Sequence, residues 1–195
     1  NSTLALIRSN SFSSNNHSAT IDVYGKVYIG QDVVYDGEGA DIPTQTVNGL
    51  TFNLYGGSID GVETNDYRLI EAKSMIVNAK AGYESSMGKY LIELAGTSTF
   101  TVENGATLTV NSTFIEKQPQ NGTTGTSYGF TKAGAGKMIL ADTLTVGSGI
   151  ETQFRNFSGT VNVAAGILEV QGTLGNASGV TLAAGTQLIF NRSTT

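Results

Sequence analysis

Three segments of this chain share one order of apolar and polar positions, each broken by a glycine. Phe100-Thr101-Val102-Glu103-Asn104-Gly105-Ala106-Thr107-Leu108-Thr109-Val110 is the first. Val180-Thr181-Leu182-Ala183-Ala184-Gly185-Thr186-Gln187-Leu188-Ile189-Phe190 repeats it in register. Val161-Asn162-Val163-Ala164-Ala165-Gly166-Ile167-Leu168-Glu169-Val170 is one residue tighter after the glycine. Alternation of this kind predicts short strands with one face buried. The glycine marks a corner where the backbone needs positive φ. With Gly136 of Phe130 to Leu140 included, the glycines at 105, 136, 166 and 185 recur at roughly 20 to 30 residues, the scale of stacked coils. The pattern therefore predicts an all-β chain of stacked coils, a parallel β-solenoid with protruding loops.

The same signal weakens toward the N-terminus. Leu4-Ala5-Leu6-Ile7 reads as a first strand or a cap, and Asn10 to Ser18 as a loop. Ile21, Val23, Gly25, Val27 and Ile29 alternate with Asp22, Tyr24, Lys26 and Tyr28, predicting one half-buried strand bent at Gly25. Thr44 to Leu54 is a degraded copy around Gly49, with Phe52 and Leu54 in the places of Leu108 and Val110. From Thr64 to Leu94 the reading is divided. Tyr67 to Ile76 holds helix formers, yet Ser74 to Ala79 reads as strand, so strands and a short helix both stay open. Tyr90 to Leu94 is a clearer strand. The segment 111–128 contains Gln118-Pro119-Gln120-Asn121-Gly122 and predicts a loop leaving the stack. The chain is read as a single domain over 1–195. Residues 1–63 form less regular coils or a cap, 64–128 the middle coils, and 129–195 the clearest repeat.

Composition narrows the function classes. Of 195 residues 25 are Gly and 2 are Pro, and charged residues make up 14%, against a typical share of about 25%. The net charge of −5 and the lack of Lys/Arg clusters argue against nucleic-acid binding and against an anionic membrane surface. No apolar run approaches a membrane span, so no membrane insertion by this segment is expected. The chain has no cysteine, which removes disulfides and thiolate chemistry and suits passage through an oxidising space. It starts at Asn1 without a signal peptide, which suggests a removed leader or a piece cut from a longer protein.

The segment from Gly129 to Phe190 resembles the autotransporter-associated β-strand repeat of bacterial passenger domains and related giant surface proteins. The residues that carry the likeness are Phe130-Thr131-Lys132-Ala133-Gly134-Ala135-Gly136-Lys137-Met138-Ile139-Leu140, then Phe157-Ser158-Gly159-Thr160 running into the Val161 coil, then Gly172-Thr173-Leu174-Gly175 and Val180 to Phe190. Arg155-Asn156-Phe157 departs from the family's shorter aromatic turn, and Met138-Ile139 replaces its usual Leu-Thr. The resemblance implies a right-handed parallel β-helix, secreted or displayed on a bacterial surface, with no catalytic residues of its own.

Candidate chemistry is sparse. His17, the single histidine, stands in a Ser/Asn-rich loop without a nucleophile elbow, and one His without Cys does not make a zinc site. Asp32, Asp36, Glu38 and Asp41 are read as a solvated face, with a weak Ca²⁺ site as the sharper alternative. Asp60, Glu63 and Asp66 beside Arg68 are where a polysaccharide-processing β-helix enzyme would keep its carboxylates. Gly134-Ala135-Gly136 lacks the Lys-Ser/Thr pair and following helix of a phosphate loop and is read as a corner. Tyr24, Tyr28 and Tyr35 form a possible aromatic stripe for surface packing, subunit contact or glycan binding. No catalytic, metal or cofactor residue is assigned. The expectation is a non-enzymatic extracellular structural protein or adhesin that acts through self-association, head-to-tail assembly or contact with surface glycans. A polysaccharide-processing enzyme or glycan-binding module is the alternative.

Overall fold

A computed structural model describes residues 3–6, 19–29, 44–61, 69–88, 91–117, 126–141 and 154–192. Among these there are strands and turns and no helix. Strand β1 (Thr3–Leu6) comes first. The chain then runs β2 (Ala19–Val23), β3 (Lys26–Ile29) and β4 (Thr44–Val47), and next β5 (Leu50–Leu54), β6 (Ser58–Gly61) and β7 (Leu69–Ala72). It continues with β8 (Ile76–Ala79), β9 (Glu84–Met87) and β10 (Leu91–Leu94), then β11 (Ser98–Val102), β12 (Thr107–Val110) and β13 (Thr113–Lys117). The last strands are β14 (Phe130–Ala133), β15 (Lys137–Leu140), β16 (Phe154–Asn156), β17 (Thr160–Val163), β18 (Ile167–Val170), β19 (Gly179–Leu182) and β20 (Gln187–Phe190).

These strands make three sheets that the chain visits in rotation. Sheet A orders β1-β3-β6-β9-β12-β15-β18-β20, sheet B orders β2-β5-β8-β11-β14-β17-β19, and sheet C orders β4-β7-β10-β13-β16. From β2 to β18 the path is B, A, C, repeated, with each strand beside its counterpart from the previous circuit, and among the described residues the last circuit passes from β18 in sheet A directly to β19 in sheet B. Every described pairing is parallel except β13 with β16. That antiparallel strand contains Arg155-Asn156.

Alternation explains the core. Column by column in sheet B, Phe52, Val77 and Phe100 lie in register and fully buried, as do Leu54, Ala79 and Val102. In sheet A, Leu108, Met138 and Leu168 do the same. β-branched and aromatic side chains pack well on such a pleated face. Where the sheets meet, Phe114 of β13 stacks on Phe130 of β14 at 4.9 Å between ring centroids, and Phe100 meets both edge-on. Phe157 closes this cluster from the turn after β16.

Several sequence expectations shift in register. The alternating run through Gly25 is two strands in different sheets, because Tyr24-Gly25 forms a full corner rather than a bend. Gly49 and Gly105 both have positive φ, but they turn different corners: Gly49 leads from sheet C to B, Gly105 from B to A. Phe52 and Leu54 therefore stack in register with Phe100 and Val102, not with Leu108 and Val110. In the corner after β14, Gly134 takes the positive φ, while Gly136 is small because the carbonyls of Glu103 and Ala106 lie against it. The divided stretch resolves into strands: Leu69–Ala72 and Ile76–Ala79 bury Ile70, Ala72, Val77 and Ala79 inward. The expected loop at 111–128 begins later, since Thr113–Lys117 is a strand with Phe114 and Ile115 buried. Residues 118–125 lie outside the described residues.

Candidate interaction surfaces

The corner from sheet B to sheet A carries aromatic residues in successive circuits. Tyr24 follows β2 and Tyr55 follows β5, and the Tyr55 amide donates to the carbonyl of Val23, which sets the two residues one above the other. Their rings stack at 4.6 Å, and Tyr83 meets Tyr55 edge-on at 6.0 Å. Tyr24 is 68% exposed and Tyr83 43%. Partial desolvation, the Tyr55 ring, and then Asp22 and Tyr83 raise the Tyr24 phenol above its ordinary pKa.

Beside these rings runs a polar ladder on the outer face of sheet B. Asn53 Nδ2 donates to Asp22 Oδ1 at 2.8 Å, and Asn78 Nδ2 donates to Asn53 Oδ1 at 2.9 Å. Register forces this arrangement, because Asp22, Asn53 and Asn78 are ladder partners in adjacent strands. One circuit on, Lys80 Nζ donates to Glu103 Oε1 at 2.8 Å and the Ala81 amide to Glu103 Oε2 at 3.0 Å. The bond to Lys80, then that from Ala81, hold the Glu103 carboxyl below its ordinary range, and the same pair raises Lys80.

Three ionisable groups hold corners together. Lys132 points inward on β14, between Phe100 and Val163, and has no exposed surface. Its ammonium donates to the carbonyls of Gly134 at 2.6 Å, Ala165 at 2.8 Å and Ala133 at 3.0 Å. Burial lowers its pKa to about 8. Buried Glu116 accepts from the Ser158 amide at 3.0 Å and the Ser158 hydroxyl at 2.8 Å, tying β13 to the turn before β17. Glu169 is bound by Lys137, by Gln171 at 2.7 Å and by Asn191 at 3.0 Å, and these bonds lower its pKa to about 2. None of the three was singled out in the sequence. For Lys132 the parity of Phe130-Thr131-Lys132 was the available signal, since it places both Phe130 and Lys132 on the inner face.

Sheets A and B end on an uncovered pair of strands. Beyond β19 and β20 no described strand pairs, and Leu182 and Phe190 are 47% and 63% exposed. Val180 and Leu182 continue the inner columns of Val161 and Val163, so their exposure is that of a core position without a neighbour.

Of the carboxylates read as enzyme candidates, Asp60 accepts from Ser58 Oγ at 2.7 Å and pairs with Lys26 at 3.5 Å. Glu63, Asp66 and Arg68 lie outside the described residues, as do His17, Tyr35 and the acidic set Asp32, Asp36, Glu38 and Asp41. Tyr28 stands on sheet A with the Lys26 ammonium 6.0 Å from its ring, apart from the Tyr24 stack. Gly134-Ala135-Gly136 is a corner whose Gly134 carbonyl binds Lys132 rather than a phosphate cradle. Among the described residues no group of three or more His, Cys, Asp or Glu is placed to hold a metal ion, and no helix is long and apolar enough to cross a membrane. No family model, curated protein or solved structure matches the chain.

Proposed function

We propose that the chain forms a right-handed parallel β-helix and serves as a non-enzymatic, extracellular scaffold or adhesin of a bacterial surface, acting by self-association or by contact with surface glycans. The observation that carries this reading is the rotation of the chain through three sheets in which each circuit pairs with the next, strand on strand, in parallel except for β13 with β16. Such edge-to-edge pairing is also how strands of one copy join those of another. The extracellular, bacterial setting rests on the repeat resemblance and the absence of cysteine.

Electron microscopy and sedimentation of the purified protein test the assembly. Linear particles that shorten with Leu182→Lys and Phe190→Lys are expected, because a charge in an inner column is costly to bury. Isolated monomers at high concentration would overturn self-association. Polysaccharide cleavage that disappeared with Asp60→Asn or Asp66→Asn would overturn the non-enzymatic reading.

A further inference from the structure

We propose that the strip formed by Tyr24, Tyr55 and Tyr83 beside the Asp22–Asn53–Asn78 ladder is a binding site for a neutral polysaccharide chain. The proposal deepens the scaffold reading by naming one of its surface ligands and the residues that hold it. Shape is the first argument. The strip is one side chain wide and follows the stacking direction across the circuits of β2, β5 and β8. With strands about 4.8 Å apart it extends roughly 10 Å, the length of a short oligosaccharide and too narrow for the broad buried centre of a protein interface.

Chemistry is the second. Tyr24 belongs to the corner after β2, the end of sheet B among the described strands, and one face of its ring rests on Tyr55 while the residue stays 68% exposed. An exposed ring offers an apolar surface to the C–H face of a pyranose, while its hydroxyl stays wet. The adjoining ladder supplies what sugar hydroxyls need. Each amide of Asn53 and Asn78 spends one N–H on the next rung, which fixes its plane and leaves the second N–H for a ligand. A site whose polar groups are already oriented loses little freedom on binding.

Charge is the third. Lys80 is bound to Glu103, Lys26 pairs with Asp60, and Asp22 adds a negative group. The strip therefore disfavours uronate or sulfate chains and suits uncharged ones.

Affinity electrophoresis in gels containing mixed-linkage β-glucan, xylan or galactomannan tests this, with alginate and polygalacturonate as acidic probes. The chain has no tryptophan, so tyrosine emission reports binding directly. Retardation by at least one neutral polymer is expected, about tenfold weaker for Tyr24→Ala and retained by Tyr24→Phe and by the outer-face control Thr131→Ala. Three results would overturn the proposal: no neutral polymer retards the protein, an acidic polymer is preferred, or Tyr24→Ala binds as the parent does. Loss of self-association in Tyr24→Ala without any glycan effect would also overturn it and assign the strip to contacts between copies. Linear assembly is read without glycan, so this proposal and the scaffold reading fail separately.

Discussion

Replacing Lys132 by Met separates two accounts of the inner columns. Lys132 is an ammonium among apolar side chains, in register with Phe100 and Val163, and its three bonds all go to neutral carbonyls. Burial without a counter-charge disfavours the charged form, which is why its pKa falls from 10.5 to about 8. The sign follows from proton counts. Between about pH 8 and 10.5 the unfolded chain holds a proton that the folded chain has released, so stability rises with pH through this window. The contribution is complete above 10.5 and lost as pH falls toward 8. Its ceiling is about 3 kcal/mol, from about 1.36 kcal/mol per pKa unit. Tyrosines and other lysines titrate in the same range, so the informative quantity is the difference between parent and Lys132→Met. Met matches the volume and removes the titration. Urea unfolding of both proteins from pH 7 to 10.5 should show the parent gaining up to about 3 kcal/mol relative to the variant. A difference that stays flat from pH 8 to 10.5 would refute the reasoning, and would mean that the carbonyls of Gly134 and Ala165 hold the ammonium charged at no net cost.

Three further outcomes follow from the same geometry. Phe100→Ala opens the ring cluster with Phe114 and Phe130 and should lower stability by about 3 to 5 kcal/mol in urea titrations. Gly134→Ala puts a side chain at φ 75 against the Val102 carbonyl and should cost more than the ~1 kcal/mol of an unfavourable backbone alone, while Gly105→Ala, whose Cβ meets only the Gly82 nitrogen at 4.0 Å, should cost about that amount. Glu169, held at about 2 by Lys137, Gln171 and Asn191, contributes stability above its unfolded value of 4.5 that is lost as pH falls toward 2; Glu169→Gln should flatten the thermal-midpoint curve in that window.

The buried face of single strands was legible in their parity. Leu108, Met138 and Leu168 stand in segments whose alternation predicts one buried face, and each is buried. What the sequence hid was which corner a glycine turns. Corners of both kinds carry a positive-φ glycine, so Gly49 and Gly105 look alike although one enters sheet B and the other leaves it. The length between strands varies as well: Thr101 to Thr107 on one circuit is matched by Ala133 to Lys137 on the next, so a fixed spacing from the glycine misassigns the sheet. The candidate strip was half visible. Tyr24 stood out, but Tyr28 lies on another sheet, and Tyr55 and Tyr83 join Tyr24 only through stacking between circuits. Contacts of that kind span tens of residues and leave no local pattern.

Lys132 also bears on why the stack has one register. A column of Phe, Val and Leu gains nearly as much from one apolar neighbour as from another, so apolar burial alone discriminates poorly between a strand and its equivalent a circuit away. Lys132 weakens that degeneracy. Its bonds to the Ala133 and Gly134 carbonyls lie within its own corner and survive a slip, whereas the bond to Ala165 reaches into the next circuit, so a slip by one circuit would leave a buried ammonium one acceptor short. A polar group inside a repeat can thus cost stability while fixing alignment. By the same logic, Lys132→Met should keep or raise stability at neutral pH yet broaden the unfolding transition, as neighbouring circuits lose the contact that disfavours the alternative pairing. A variant that unfolded as sharply as the parent would show that the tight corners alone set the register.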